Sequence, residues 1–194
     1  MTKRELVVWE QMKELFIKEL GAEKGEEYLA AAKQKHGDWL SKTKETSPSR
    51  LKTMRETIIP RIAAYAVLKE NGRDADRILD DYVRNVAGPL MHDTYAKAEK
   101  LPGFWTIFKT GFIRITKKSD RWECESRKEK DRFFLDIRKC LWYDTCVECG
   151  YPEVCRFFCD CDNYTYGGLD KIGFNRTQTL GTGGEKCDFM MYRK

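Results

Sequence analysis

The chain has 194 residues, of which 41% are hydrophobic, 12% aromatic and 35% charged, with a formal net charge of +5. That length supports one large domain or two small ones with a core that needs no disulfide staples, and the aromatic content argues for a folded globule rather than a disordered chain. The modest charge, with no block of one sign, speaks against nucleic-acid binding. No uncharged apolar run approaches the roughly 18–20 residues of a membrane span.

The N-terminal half reads as helices. Leu6, Trp9, Met12, Leu15, Phe16 and Leu20 recur at helical spacing behind Thr2, a candidate N-cap. Gly21 and Gly25 loosen the chain before a second helix carrying Tyr28, Leu29, Ala32, Trp39 and Leu40. Ser47-Pro48 is a strong start signal, a capping hydroxyl followed by proline in the first turn. The stripe Leu51, Met54, Ile58, Ile62, Tyr65 and Leu68 follows and closes at Asn71-Gly72, with a kink expected at Pro60. A further helix runs from about Asp74 to beyond Val86, where Gly88-Pro89 interrupts or ends it. The aromatic stretch Leu101 to Ile115 fits a helix or a buried connection equally well.

The character changes near Trp122. Residues 122–126 and 132–138 read as two strands joined by a charged turn, Arg127 to Asp131. A loop is expected from Cys140 to Tyr151, then a helix of about three turns from Glu153 to Tyr164. A terminal hairpin is expected from Phe174–Leu180 and Cys187–Tyr192, turning at residues 181–184. The sum is an α+β protein, a single domain over 1–194. It has a mainly helical part (1–118) packed on a cysteine-rich part (119–194) with an antiparallel sheet that carries the site.

All eight cysteines lie between Cys124 and Cys187. Glu5 and Glu10 bracket the short apolar patch where a signal-peptide core would sit, so the expected location is cytoplasmic, where thiols stay reduced. Cys146-x-x-Cys149 has zinc-knuckle spacing but no matching second pair, and reads first as two ordinary loop thiols. Cys155, Cys159 and Asp162 share one helix face by their spacing, beside a stripe of Val154, Phe158 and Cys161 expected to face the core. A carboxylate one turn from a thiol can relay a proton or orient a water. If Thr179 pairs with Cys187, then Thr177, Thr179, Cys187 and Phe189 share one sheet face, with Arg176 and Asp188 on the other. Arg176 has the planar fork that clamps a carboxylate, although a surface ion pair is its commoner use. His36 looks like part of an exposed helix end. His92 gives a Cys–His dyad only if it folds back onto the sheet.

Three segments together resemble one family. They are Arg138-Lys-Cys140-Leu-Trp-Tyr143, the helix Phe158-Cys159-Asp-Cys-Asp162, and Phe174-Asn-Arg176-Thr-Gln-Thr179-Leu180 with Gly184-Glu-Lys-Cys187-Asp188-Phe189. The pattern is similar to the L-2-amino-thiazoline-4-carboxylic acid hydrolase family. The closing hairpin also has a short likeness to the small-ligand-binding domain of 4-vinyl reductases. The resemblance implies an α+β fold and singles out Cys140, Cys159, Asp162, Thr179, Cys187 and Asp188, leaving Cys124, Cys146, Cys149, Cys155 and Cys161 outside it.

The implied reaction opens a 2-aminothiazoline ring to N-carbamoyl-L-cysteine. The expected catalytic set is Cys140, Cys159, Asp162 and Cys187. The nucleophile is Cys159, Cys140 or a water between them; Asp162 is the base or orienting group; Arg176 and Thr179 bind the substrate. A thiolate needs a nearby cation or helix N-terminus, and by that criterion Cys140 is better placed than Cys159. The alternatives are a non-enzymatic small-molecule or soft-metal site, with zinc on Cys140, Cys159 and Cys187, and a regulatory subunit in which the cysteines are simply core. The expected partner is a small molecule, with neither nucleic acid nor membrane.

Overall fold

A computed structural model describes all residues from Met1 to Lys194. The fold is α+β, with a helical N-terminal half and a four-stranded antiparallel sheet of order β1-β2-β4-β3 in the C-terminal half. The chain forms two compact units, Met1–Tyr82 with Asp144–Val154, and Val83–Tyr143 with Cys155–Lys194.

In the first unit, α1 (Lys3–Leu20) starts where the Thr2 hydroxyl accepts the Glu5 N–H at 3.2 Å. It buries Trp9, Met12, Leu15 and Phe16 but leaves Leu6 exposed. Gly21, at φ 83°, ends α1, and α2 (Ala22–Lys42) follows at once. Gly25 lies inside α2, where a Cβ would come 2.9 Å from the Ile17 backbone, so it serves close helix contact and not a loose linker. His36 is a buried residue of α2, its Nε2 2.9 Å from the Arg55 carbonyl, and not part of an exposed helix end. Burial, its main cause, lowers the His36 pKa.

Ser47 caps α3 (Pro48–Thr53), which runs through a π-helical turn (Met54–Ile58) into α4 (Ile59–Glu70). Pro60 sits just past that turn. A proline cannot donate to the helical ladder, and the widened turn accommodates the missing bond and the ring without ending the helix. The same device recurs between α5 (Ala75–Tyr82) and α6 (Gly88–Ala98): a π-helical turn (Val83–Ala87) precedes Pro89, so Gly88-Pro89 does not end the helix.

In the second unit, α6 and α7 (Phe104–Lys118) accompany the sheet. A Cβ on Gly88 would meet Tyr164 Cβ at 2.3 Å, so glycine permits that contact. The carboxylate of buried Glu99 accepts the N–H groups of Asp170 and Lys171 at 2.9 and 2.8 Å, fixing the approach to β3. Strands β1 (Trp122–Lys128) and β2 (Arg132–Cys140) form the expected hairpin. Strand β4 (Cys187–Arg193) pairs β2 with Ile137 opposite Cys187 and Phe133 opposite Met191. The alternation along β2 and β4 puts Phe133, Leu135, Ile137, Cys187, Phe189 and Met191 in the core with Phe108 and Tyr166.

Three local expectations are corrected. Residues 141–148 are a helix, α8 (Leu141–Glu148), and not a loop, with Leu141, Thr145 and Cys146 buried along one side. Strand β3 is only Ile172–Asn175, paired from Ile172↔Arg193 to Asn175↔Met190, so Thr179 does not pair with Cys187. Residues 176–186 form a long connection with a single 3₁₀ turn at Leu180–Thr182. Of the expected core stripe Val154 is buried, but Phe158 and Cys161 are only half-buried, and α9 (Cys155–Tyr166) buries Cys155, Phe157, Thr165 and Tyr166 instead.

Candidate functional site

The second unit brings four of the eight cysteines together. Cys155 and Cys159 are one turn apart on α9, as their spacing requires, and their side chains hydrogen-bond. Cys187, the first residue of β4, reaches Cys159 from the sheet and also hydrogen-bonds to it. Cys140 ends β2 and is near enough to feel the charge on Cys159. Cys159 and Cys140 are half-buried, whereas Cys155 and Cys187 are buried, and all eight cysteines are reduced thiols.

The connection 176–186 completes the group because a carboxylate holds it in place. Asp188 accepts the N–H groups of Thr177 at 2.9 Å and Gln178 at 2.8 Å, together with the Thr177 hydroxyl. Burial opposes ionisation of Asp188, but these donors outweigh it and keep its pKa below the usual carboxylate value. Thus anchored, the connection directs three groups inward. Thr179, buried, takes the Thr182 N–H on its hydroxyl oxygen at 3.1 Å and hydrogen-bonds to the Cys159 thiolate. The Leu180 N–H points at the Cys187 sulfur from 3.4 Å. Gly181 lies against α9, where a Cβ would stand 3.1 Å from the Cys155 sulfur.

Arg176 is the cation of the site. Its side chain is only 5% exposed. Nη1 donates to Asp162 at 2.9 Å and Nη2 to the Cys159 carbonyl at 2.9 Å, while the guanidinium lies over the Phe174 and Phe189 rings at 5.5 and 5.4 Å. It is therefore not a surface ion pair. Expected as a clamp for a substrate carboxylate, it is already engaged by Asp162 and the α9 backbone.

These surroundings drive the titrating groups apart. Cys159 is held well below the usual thiol range, first by hydrogen bonds from Cys155 and Cys187, and then, against the opposing effect of burial, by Thr179 and the Arg176 charge. Cys187, donating to that thiolate, is pushed strongly up. Burial pushes Cys140 up to about 12, although the Tyr143 and Trp142 N–H groups at the start of α8 and the Trp122 indole N–H point at its sulfur. Burial also raises the Asp162 carboxyl to about 7; Arg176 pulls it down and the charge on Cys159 pushes it up. Asp162 still keeps 31% of its side chain exposed, which leaves it a route to solvent. One guanidinium thus serves two acids. Near neutral pH the thiolate is ionised and the carboxyl is poised to exchange a proton, the division of roles that acid–base chemistry requires.

Of the residues singled out from sequence, Cys140, Cys159, Asp162, Arg176, Thr179 and Cys187 fall in this one neighbourhood. Cys155 was overlooked as an extra thiol, though its i, i+4 spacing to Cys159 carried the signal. The expectation that Cys140 is the better-placed thiolate fails on burial: the donors at Cys159 come from side chains of other elements, not from a helix end. His92, on α6, has its Nδ1 3.2 Å from the Thr165 carbonyl. Cys146 and Cys149 are buried and belong to the first unit, and burial pushes Cys149 up to about 12. No group of three or more His, Cys, Asp or Glu side chains is gathered so as to hold a metal ion. A surface groove lined by residues 129–132 with Met190, Tyr192 and Arg193 lies at the far end of the strands from Cys187 and Cys140. Its lining contains no cysteine. No helix is long and apolar enough to cross a membrane.

A family model described as L-2-amino-thiazoline-4-carboxylic acid hydrolase matches residues 50–191. No curated protein matches the chain.

Proposed function

The chain belongs to the L-2-amino-thiazoline-4-carboxylic acid hydrolase family, and from that premise we propose that it opens a small cyclic isothiourea by hydrolysis with Cys159 as the nucleophile. The carrying observation is the convergence of three donors and one cation on the Cys159 sulfur. A thiolate is the attacking form of cysteine, and this one is stabilised by Cys155, Cys187, Thr179 and Arg176 together.

The Cys159 sulfur attacks the carbon between the ring sulfur and nitrogen, and the bond from that carbon to the ring sulfur breaks. Asp162, protonated for part of the time near neutral pH, gives its proton to the departing sulfur. The substrate is then joined to Cys159 through an isothiourea carbon. Asp162, now a carboxylate, takes a proton from water as the oxygen adds to that carbon. The carbon–Cys159 bond breaks and the thiolate is restored to its donors. One water is consumed, and the product carries a carbamoyl nitrogen and a free thiol, as N-carbamoyl-L-cysteine does.

The other residues have supporting roles in this reading. Arg176 is a positioning residue, acting through Asp162 and the Cys159 carbonyl. Asp188 holds the connection that supplies Thr179 and the Leu180 N–H. Cys140 stays a neutral thiol in the field of the Cys159 charge.

The test is release of the ring thiol from 2-amino-thiazoline-4-carboxylate by the purified protein, with Cys159→Ser and Asp162→Asn beside it. Turnover by the wild type, lost in Cys159→Ser and cut by about 10²–10⁴ in Asp162→Asn, is the expected result. Full turnover by Cys159→Ser overturns the covalent route. No turnover by any form, with the compound bound unchanged, favours a small-molecule binding protein.

A further inference from the structure

The ring-opening reaction needs one thiolate, yet the structure surrounds it with more thiols than hydrolysis uses. Cys187 is the informative one. It comes from β4 while Cys159 comes from α9, and one connection touches both: Arg176 donates to the Cys159 carbonyl at 2.9 Å and the Leu180 N–H to the Cys187 sulfur at 3.4 Å, with the two thiols interacting between them. A disulfide needs two Cβ atoms that converge, about 3.5–4.5 Å apart. Cys155 also hydrogen-bonds to Cys159, but residues one turn apart on a helix direct their Cβ atoms nearly in parallel, and the Gly181 backbone is packed against the Cys155 sulfur. A thiol on a facing strand is free of that restriction.

We propose that Cys159 is a hydroperoxide-reactive thiol and Cys187 its resolving partner, so that a small hydroperoxide converts the pair to a disulfide and closes the site. The inference uses the same sulfur as the ring-opening reading but does not depend on that substrate.

The Cys159 thiolate attacks the terminal oxygen of the hydroperoxide. The O–O bond breaks, an S–O bond forms, and the leaving alkoxide or hydroxide takes a proton from solvent. Sulfur is oxidised by two electrons to a sulfenic acid and the peroxide is reduced to an alcohol or water. The Cys187 sulfur then attacks the Cys159 sulfur. The sulfenic oxygen departs with the Cys187 proton as water, leaving the disulfide.

The order of events is built into the neighbourhood. While Cys159 is an anion, Cys187 donates to it and is held neutral, so the resolving thiol is idle. Oxidation removes that anion. The Leu180 N–H, 3.4 Å from the Cys187 sulfur, then remains as a donor favouring the Cys187 thiolate at the moment it is needed. Half-burial of Cys159 admits a small oxidant, and Cys187 is shielded from attack in its own right. A solvent-reachable thiolate beside a second thiol is the arrangement on which selective oxidation depends.

The experiment is peroxide mapping on the reduced wild-type chain. One equivalent of hydrogen peroxide is added, the remaining thiols are alkylated, and the tryptic peptides are read by tandem mass spectrometry. Cys159 falls in peptide 157–171 and Cys187 in 187–193, while Cys140, Cys146, Cys149 and Cys155 share 140–156. The expected product joins 157–171 to 187–193 through Cys159, reverts with a dithiol, and forms at least about tenfold faster than oxidation of half-buried Cys124, a thiol without such donors. In Cys187→Ser, Cys159 is expected to accumulate as a sulfenic acid trapped by a cyclic dione. A link from Cys159 to peptide 140–156 or through Cys161, or oxidation of Cys124 at the same rate, overturns the proposal on the wild type alone, whether or not the variant folds. Cross-linking without ring opening removes only the hydrolase reading, and ring opening without the cross-link removes only this one.

Discussion

Removal of the Cys187 thiol is a direct perturbation of the site's electrostatics. The wild-type sulfur of Cys159 receives donors from Cys155, Cys187 and Thr179 and lies in the field of Arg176. A hydrogen bond to a charged group contributes about 1.5–3 kcal/mol. At about 1.36 kcal/mol per unit, loss of one such donor in Cys187→Ala should move the Cys159 titration up by about one to two pH units. Cys187→Ser keeps an O–H donor and should return it most of the way. The assay is the rate of alkylation of peptide 157–171 by iodoacetamide across the pH range. An ordinary thiol with a pKa near 8.5 gains roughly 800-fold in thiolate fraction between about pH 5 and pH 8. Wild-type Cys159 should be almost flat there, because it is already ionised. Its rate should acquire slope at the acid end in Cys187→Ala and lose it again in Cys187→Ser. Identical profiles for the wild type and Cys187→Ala, or a wild-type profile that climbs like a free thiol, would refute the reasoning. A thermal melt of each variant separates this effect from loss of the fold, since Cys187 is 5% exposed and its truncation thins the sheet face.

Other residues give independent checks. Asp162 titrates near 7 in the folded chain against 3.8 for an ordinary aspartate, so its contribution to stability is fully present below about pH 3.8 and is lost as pH rises through about 7. Asp162→Asn should remove that fall, which is at most about 1.4 kcal/mol per pH unit and less here because the carboxyl is partly exposed; denaturant midpoints that run parallel in the two proteins contradict it. Asp188→Ala should release the 176–186 connection, lowering ring-opening kcat by at least about tenfold with the melt nearly unchanged, as expected for a group that orients others; full activity shows that the clip is dispensable. Gly88→Ala places a carbon 2.3 Å from Tyr164 Cβ and should destabilise the protein by about 1–3 kcal/mol despite the better helix propensity of alanine; an equal or higher Tm refutes the predicted clash.

The helices were legible wherever apolar spacing and caps agreed, as at Thr2, Ser47-Pro48 and Asn71-Gly72. Where they misled, the reason is local. Helix α8 was hidden because its buried side is built from Leu141, Thr145 and Cys146, a threonine among them, and Cys146 reads first as a loop thiol of the Cys146-x-x-Cys149 pair. The stretch Thr177–Leu180 looks like strand because threonine favours extended backbone, but the Thr177 and Gln178 N–H groups are taken by the Asp188 carboxylate, a bond from across the connection that no local pattern announces. Gly88-Pro89 reads as an interruption or an end, yet the π-helical turn before it lets the helix continue; at Pro60, where a kink is expected, the structure has a π-helical turn just ahead of the proline. For the site, the shared face of Cys155, Cys159 and Asp162 followed from helical arithmetic alone. The burial of Arg176 against two aromatic rings, and the reversal of rank between Cys159 and Cys140, depend on tertiary neighbours and could not be read from spacing.

The proposed reaction turns on a bond between the Cys159 sulfur and the substrate carbon. Acid quenching of the wild-type protein during turnover of 2-amino-thiazoline-4-carboxylate, followed by mass measurement of peptide 157–171, tests it most directly. Attack with ring opening adds the whole substrate, so the account predicts a peptide heavier by that full mass, with the modification on Cys159. Steady ring opening with peptide 157–171 at its unmodified mass in every quench, and turnover retained in Cys159→Ser, would contradict it.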